Sequence, residues 1–236
     1  MTGPRTPLPT TGESDGKRSN NWKKSGAHFP IIEESEILPK GWRWVKLGEV
    51  CEIVSGTTPK SGEANYWNGE IVWITPTDLG KLAEKYIRNS ERRISEAGFN
   101  SCNLTMVPAD SVVLSSRAPI GHLAIAAVPL CTNQGCKTFL PGREVHSKFL
   151  FHALKRSVGN LQQMGSGATF AEVSKAQLWN FFIPLPPLPE QRRIAALLNE
   201  QMAVVERARK AAAEEELEAI KALPAALLRR AFAGEL

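Results

Sequence analysis

The sequence predicts an α+β protein, with a globular domain of mainly antiparallel, twisted sheet and short helices followed by one long C-terminal helix. Two observations support this prediction. Short β-rich runs, separated by Gly and Pro turns, fill the chain from about residue 37 to residue 183. A helix-forming stretch without Gly or Pro then covers residues 190–222.

The composition is that of a globular protein. Its 236 residues are 42% hydrophobic and 22% charged and carry a net charge of +5. Most of the excess positive charge lies in the first 30 residues, so the rest of the chain is only weakly basic. The apolar stretch 123–131 is too short for a membrane span, and no signal-peptide core is present. We therefore expect a cytoplasmic protein without membrane association and with four reduced cysteines.

The predicted elements follow one another along the chain. Residues 1–36 predict a disordered polar tail, because Pro, Thr, Gly, Ser and Asn dominate them. Residues 37–183 predict the globular domain. Hydrophobic spacing within it predicts strands at 50–55 and 70–75, a hairpin of 111–115 with 122–128, and short helices at 147–157 and 174–178.

The C-terminal part begins with four prolines between residues 184 and 189, which predict a rigid hinge because proline fixes φ and lacks a backbone donor. Residues 190–236 follow as the long helix, about 33 residues of which are uninterrupted and would extend roughly 50 Å. Pro224 is expected to kink or restart it. Apolar residues at helical spacing predict a face for a partner helix: Ile194, Leu197, Leu198, Val205, Ala208, Ala212, Leu217 and Ile220.

Catalytic and metal-binding patterns are missing from the sequence. It contains no Gly-x-x-x-x-Gly-Lys-Ser/Thr phosphate loop and no paired Cys or His residues at metal-ligand spacing. Asp78 and Asp110 do not lead into the Glu-x-Lys pattern that would favour a nuclease. We therefore predict that this chain is not an enzyme and binds neither a metal nor a cofactor.

Polar, turn-rich segments provide candidate DNA contacts instead. Asn and Gln suit adenine edges, Arg and Lys suit guanine edges, and Ser and Thr suit phosphates. Cationic clusters over residues 81–93 and 137–156 fit this chemistry, and they also fit the solvated faces of ordinary helices. The candidate DNA-binding residues are Thr58, Lys60, Arg88, Arg92, Arg93, Arg117, Asn133, Gln134, Lys137 and Ser166.

Several motifs, in one order along residues 38–236, resemble a known family. They are Leu38-Pro39-x-Gly41-Trp42, Ser55-Gly56-Thr57-Thr58-Pro59, Ser116-Arg117-Ala118-Pro119-Ile120-Gly121, Ile183-Pro184-Leu185-Pro186-Pro187-Leu188-Pro189-Glu190-Gln191 and Ala231-Phe232-x-Gly234-Glu235-Leu236. Together they resemble the specificity (S) subunits of type I DNA restriction-modification enzymes. The resemblance is to a half-length form, because the family usually carries two target-recognition domains and two conserved helices.

This resemblance implies a non-catalytic subunit that binds double-stranded DNA and directs adenine methylation and restriction by its partners. Methyltransferase (M) subunits would bring S-adenosylmethionine, and the addition of a restriction (R) subunit is left open. An antiparallel coiled coil with a second copy predicts a homodimer that recognises an interrupted palindrome. Two alternatives stay open: a nuclease or methyltransferase that acts alone, and a scaffold fragment that binds partners without reading DNA.

Overall fold

The computed structural model describes residues 38–165 and 171–232, with side chains up to residue 214. The predicted tail over residues 1–36 and the candidate Ser166 therefore lie outside the described residues, as do the side chains of Leu217 and Ile220. The described part contains three sheets and seven α-helices. Most strand pairs are antiparallel, so the predicted α+β class with a mainly antiparallel sheet is confirmed.

A five-stranded sheet forms the centre of the domain. Its strands lie in the order β2 (Cys51–Ser55), β9 (Cys136–Pro141), β6 (Val112–Ser115), β7 (Leu123–Ala126) and β4 (Tyr86–Ile87). The pair of β4 with β7 is parallel, and the other three pairs are antiparallel. All four residues of β6 are buried, because Val112 and Leu114 pack into one apolar cluster while Val113 packs into another.

A three-stranded sheet lies beside the central one, with β3 (Trp67–Ile74) between β5 (Arg93–Ile94) and β8 (Cys131–Thr132). A 3-10 helix, Ala64–Tyr66, leads into β3. Trp67 and Trp73 meet edge to face in the small core of this sheet, with ring centres 5.2 Å apart. Two short helices, α2 (Pro76–Gly80) and α3 (Glu96–Asn100), follow β3 and β5 respectively.

The other helices of the domain are α1 (Leu47–Val50), α4 (Ser147–Arg156), α5 (Val158–Gly165) and α6 (Lys175–Trp179). Both short helices predicted from hydrophobic spacing are confirmed as α4 and α6. Helix α4 buries Phe149, Leu150 and Leu154 against the central sheet. All four cysteines are free thiols, and burial raises the pKa of Cys51, Cys131 and Cys136 to about 12.

The predicted proline-rich hinge at 184–189 is wrong. Strand β10 (Phe182–Leu185) pairs antiparallel with β1 (Arg43–Lys46), so the domain continues past residue 183. Pro184 is tolerated because these two strands form their own small sheet, where a missing donor breaks no larger ladder. The long helix α7 begins at once, as Leu188–Phe232, with Pro189 in its first turn.

Buried contacts fasten the first turns of α7 to the domain. The side chain of Gln191 is fully buried, and its Oε1 accepts from the backbone N–H of His146 at 2.8 Å. Its Nε2 donates to the carbonyl oxygens of Glu144 and Pro186, each at 2.8 Å. Ile194 is partly buried against the domain core. Ile194 therefore packs part of its apolar surface against the domain, and a contact between its remaining surface and a partner helix stays a prediction.

Helix α7 then continues beyond the domain. Its backbone stays helical through Pro224 to Phe232, so the helix does not restart at Pro224, while a kink there stays a prediction. A proline inside a helix removes one hydrogen bond and strains the preceding turn, but neighbouring turns can carry the helix past it. Within the described ranges, no helix combines the length and the apolar character that crossing a membrane requires.

Candidate nucleic-acid interface

A crevice of about 430 Å³ lies where four loops of the domain meet. One loop follows β3, the second precedes β5, the third follows β6, and the fourth joins β8 to β9. The lining residues are Trp73, Thr75, Pro76, Thr77, Asp78, Glu91, Arg92, Arg117, Ala118 and Asn133. Three of them, Arg92, Arg117 and Asn133, are candidates predicted from the sequence.

The carboxylate of Asp78 joins two walls of the crevice. Its Oδ2 accepts from the backbone N–H of Thr75 at 2.8 Å and from the Thr75 hydroxyl at 2.5 Å. Its Oδ1 accepts from the backbone N–H of Glu91 at 2.8 Å, which fixes the loop that carries Arg92. These bonds make Asp78 a structural residue of the crevice, where it caps α2 and holds the opposite loop.

Arg92 stacks on an aromatic ring at the edge of the crevice. Its guanidinium carbon lies 3.6 Å from the centre of the Trp67 ring. The indole N–H of Trp67 donates to the carbonyl oxygen of Lys60 at 3.3 Å, which ties the ring to the neighbouring loop. Stacking engages the face of a guanidinium and leaves its in-plane N–H donors available. Arg92 is exposed and can direct those donors to a ligand.

The loop between β8 and β9 supplies the amide side chains. The Thr58 hydroxyl donates to Oε1 of Gln134, and Asn133 Oδ1 accepts from the backbone N–H of Gly135 at 2.9 Å. Among the described residues neither amide nitrogen has a hydrogen-bond partner, so each keeps its two N–H donors for a ligand. Gly56 is required beside this loop, since a Cβ there would lie 2.0 Å from the carbonyl oxygen of Asn133.

Lys137 is buried, whereas the sequence predicted an exposed contact with DNA. Its side chain is only 7% exposed, and its Nζ donates to Ser116 Oγ at 3.2 Å, to the carbonyl oxygen of Gln134 at 3.2 Å and to Glu172 Oε1 at 3.3 Å. Glu172 also pairs with Arg117 at 3.9 Å. Lys137 therefore stabilises two loops from the interior of the domain, that of Gln134 directly and that of Arg117 through Glu172. Because Lys137 is buried, it is not accessible to a phosphate.

The remaining candidates lie outside the crevice lining. Arg93 donates to Asn89 Oδ1 at 2.8 Å and to the carbonyl oxygen of Glu70 at 3.4 Å, so its guanidinium stabilises the contact between β3 and β5. The prediction of a DNA contact by Arg93 does not fit this geometry. Lys60 and Arg88 are exposed on neighbouring loops, where they can reach an extended ligand such as a duplex.

The candidate residues predicted from the sequence do not include several residues of the crevice: Trp73, Thr75, Thr77 and Glu91. The polar run that directly follows β3 was a usable signal, because loops at strand ends often carry binding residues. The indole N–H of Trp73 donates to the carbonyl oxygen of Thr57 at 3.0 Å, a contact across 16 residues that no local pattern indicates. No group of three His, Cys, Asp or Glu side chains in the described ranges is arranged to hold a metal ion.

Comparisons with known proteins indicate the family. A profile described as the type I restriction modification DNA specificity domain matches residues 39–215. The MjaIX specificity subunit of a type I restriction enzyme from Methanocaldococcus jannaschii is 37% identical over 172 residues, which are 71% of this chain and 40% of the relative. The EcoR124I/EcoR124II specificity subunit of Escherichia coli is 28% identical over 163 residues, which are 66% of this chain and 40% of the relative.

Solved structures agree with the sequence relatives. The crystal structure of the HsdS subunit from Thermoanaerobacter tengcongensis matches with a TM-score of 0.64 and 33% identity, over 87% of this chain and 48% of that one. A chain from a structural study of assembly and conformational transition in the type I R-M system matches with a TM-score of 0.70 and 34% identity, over 86% and 49%. This chain thus spans about half the length of its relatives or less. It belongs to the family of type I restriction-modification DNA specificity domains.

Proposed function

We propose that this chain binds double-stranded DNA sequence-specifically and, without catalysis of its own, directs an adenine methyltransferase to its target. One observation carries the proposal: in a chain of this family, the donor groups of Arg92, Arg117, Asn133 and Gln134 lie at or beside one crevice at the loop end of the domain. Bidentate donors of these types discriminate base edges in the major groove, and the surrounding hydroxyls and cations suit phosphates.

The electrostatics of the crevice support an anionic ligand. Three carboxylates lie at or beside it, and each is already engaged by the protein. Asp78 accepts backbone and hydroxyl donors, Glu91 pairs with Lys81 at 2.5 Å, and Glu172 pairs with Lys137. Arg92 has no carboxylate within ion-pair distance among the described residues, so its charge is available to DNA.

Helix α7 carries the second part of the proposal, a homodimer. Beyond the domain, α7 exposes several large apolar residues. The solvent-exposed fractions of four of them are 48% for Leu197, 37% for Leu198, 48% for Val204 and 49% for Val205, and we call these four residues the apolar band. Residues 197 and 204, like 198 and 205, are seven apart, which is the repeat of a coiled coil. In an antiparallel pair of two identical helices related by a two-fold axis, the apolar band of each helix is buried against that of the other. Ala208 and Ala212, which are also exposed, continue the apolar band along α7.

Such a dimer determines the form of the DNA target. Two identical domains related by a two-fold axis contact identical half-sites on opposite strands, so the recognised sequence is an interrupted palindrome. The helix pair keeps the half-sites apart and offers a surface to M subunits, which bind S-adenosylmethionine and methylate adenine. A restriction subunit is a further partner of the same assembly.

Methylation mapping in cells that express this chain with its M subunit tests the proposal. We expect adenine methylation at one interrupted palindrome, and none when either protein is omitted. Cleavage or methylation by the purified chain alone would instead favour an enzyme. Assembly with M subunits that leaves DNA unbound at low salt would favour a scaffold that no longer binds DNA.

A further inference from the structure

A second cationic surface lies where α7 leaves the domain, apart from the crevice lining. It consists of Lys85, Lys148, His152 and Lys155, and we call it the junction surface. Asn199 of α7 connects its parts, because its Oδ1 accepts from Lys85 Nζ at 2.7 Å and lies 3.0 Å from His152 Nε2. The side-chain oxygen of Asn199 in α7 thus contacts both Lys85, which precedes β4, and His152 of α4.

Helix α4 adds the other two charges to the same side. Residues 148, 152 and 155 are separated by four and three positions, which places them on one face of the helix. Lys155 is exposed, and Lys148 and Lys85 are half-buried. None of these three lysines has a carboxylate within ion-pair distance in the part of the chain that the structure describes.

The groups of the junction surface repel one another. Burial lowers the pKa of Lys85, and the charge of Lys148 lowers it further. Burial also lowers the pKa of His152, and Lys85 and Lys155 act in the same direction, against the hydrogen bond with Asn199. Clustered like charges destabilise a folded protein unless an anion offsets them.

Residue 199 is a neutral amide and does not offset the positive charges that repel one another. An aspartate there would hold Lys85 with the same geometry and neutralise it, whereas the amide of Asn199 positions the ammonium group without reducing its charge. A neutral residue that holds a lysine in a cationic cluster is an arrangement that suits a binding surface for an external anion.

We propose that the junction surface binds backbone phosphates of the DNA that lies between the two half-sites. This inference rests on the proposed function, in which α7 spans the distance between half-sites, so DNA beside the start of α7 is spacer. The spacer carries no sequence to be read, and phosphates are the groups that every spacer presents. The junction surface therefore adds affinity for any sequence and leaves the choice of target to the crevice.

Salt-dependent binding of the full chain to a random-sequence 40-base-pair duplex tests the inference. Each lost phosphate contact lowers the slope of log affinity against log salt by about 0.9. The double variant Lys148→Gln, Lys155→Gln is expected to reduce the magnitude of the slope by about 1.8 for each bound chain, and so by about 3.6 for a dimer that binds through both junction surfaces. The affinity at 0.1 M salt is expected to fall by roughly tenfold or more. Asn199→Asp, which retains the acceptor and adds a negative charge, is expected to weaken binding in the same direction. Lys175→Gln, an exposed lysine of α6, is the matched control and is expected to leave the slope unchanged.

The two proposals fail in different ways. A slope that stays at the wild-type value in the double variant, while Arg92→Gln lowers it, overturns the junction surface and leaves the proposed function standing. A loss seen only in the binding of M subunits, with the DNA slope unchanged, overturns it in favour of an acidic protein partner. Wild-type chain that binds no duplex, alone or with M subunits, overturns both.

On a duplex with the mapped target, the double variant is expected to keep the wild-type preference for target over random sequence, and a changed preference contradicts the assignment to spacer phosphates.

Discussion

The guanidinium of Arg92 lies 3.6 Å above the Trp67 ring, and this contact joins the cationic loop before β5 to the start of β3. The loop is fixed a second time by the bond from the Glu91 N–H to Asp78. Because two contacts at adjacent residues hold the same loop, Arg92 is ordered before any ligand arrives, and less side-chain entropy is lost on binding.

Substitutions of Arg92 are expected to weaken DNA binding in a graded manner. Arg92→Lys keeps the charge but loses the planar stack on Trp67, and Arg92→Gln loses both, so affinity falls in that order by about 3-fold and about 10-fold or more. Fluorescence anisotropy with a labelled duplex measures the effect. Arg207→Gln on the exposed part of α7 is the control. If the wild type, both Arg92 variants and the control bound DNA with equal affinity at low salt, Arg92 would not belong to the DNA interface.

The ion pair between buried Lys137 and partly exposed Glu172 predicts an asymmetry in stability. Glu172→Gln leaves the Lys137 ammonium buried without its counter-charge and is expected to reduce the free energy of unfolding by about 2 kcal/mol. Lys137→Met removes the buried charge and is expected to cost less than Glu172→Gln does. Urea unfolding of both variants and of the double variant measures the difference. If Lys137→Met were the more damaging change, the ammonium group would have a role beyond this pair.

Gln191 is expected to be the most sensitive polar residue at the start of α7. Gln191→Leu leaves the carbonyls of Glu144 and Pro186 and the N–H of His146 without partners, at a cost of about 3 kcal/mol. Thermal unfolding and faster hydrogen exchange at the His146 amide are the readouts. Gln201→Ala, at an exposed site, is expected to change stability by less than about 0.5 kcal/mol. A wild-type melting temperature for Gln191→Leu would contradict the docking of α7 through the side chain of Gln191.

The apolar band on α7 predicts a dimer that charge can disrupt. Leu198→Glu with Val205→Glu places carboxylates in the helix pair and is expected to yield a monomer by light scattering, with the melting of the domain unchanged. Ala203→Glu, on nearly the opposite side of the helix, is expected to stay dimeric. Dimers in both variants would assign self-association to another surface.

His152 predicts a loss of stability in mild acid. Its pKa in the folded protein lies below the usual 6.5, so the unfolded chain takes up a proton first as the pH falls. The stabilising contribution is therefore present above pH 6.5 and is lost as the pH falls below it, and His146, whose pKa is also lowered by burial, acts in the same direction. Urea unfolding between pH 7.5 and 5.5 measures this, and His152→Gln is expected to flatten the dependence. An identical pH dependence in His152→Gln and wild type would exclude this source.

The sequence by itself determined the elements whose pattern is local. Alternation predicted β2 and the hairpin of β6 with β7, helical spacing predicted α4, and the stretch without Gly or Pro predicted α7. The family could also be predicted, because its motifs recur in one order along the chain. The polar loops predicted Arg117 and Asn133 as candidates, the cationic cluster over residues 81–93 predicted Arg92, and all three line the crevice.

Only the tertiary structure decided which of these residues line the crevice and which are buried. Lys137 and Arg117 are both cations beside polar loops, yet one is buried on Glu172 and the other lines the crevice. The proline-rich segment gave no sign of a strand, because its pairing partner β1 lies about 140 residues earlier in the chain. Burial and hydrogen bonding depend on contacts between distant segments, which residue spacing along one segment does not encode. The partners of Gln191 and Asn199, which set where α7 leaves the domain, are decided in the same way.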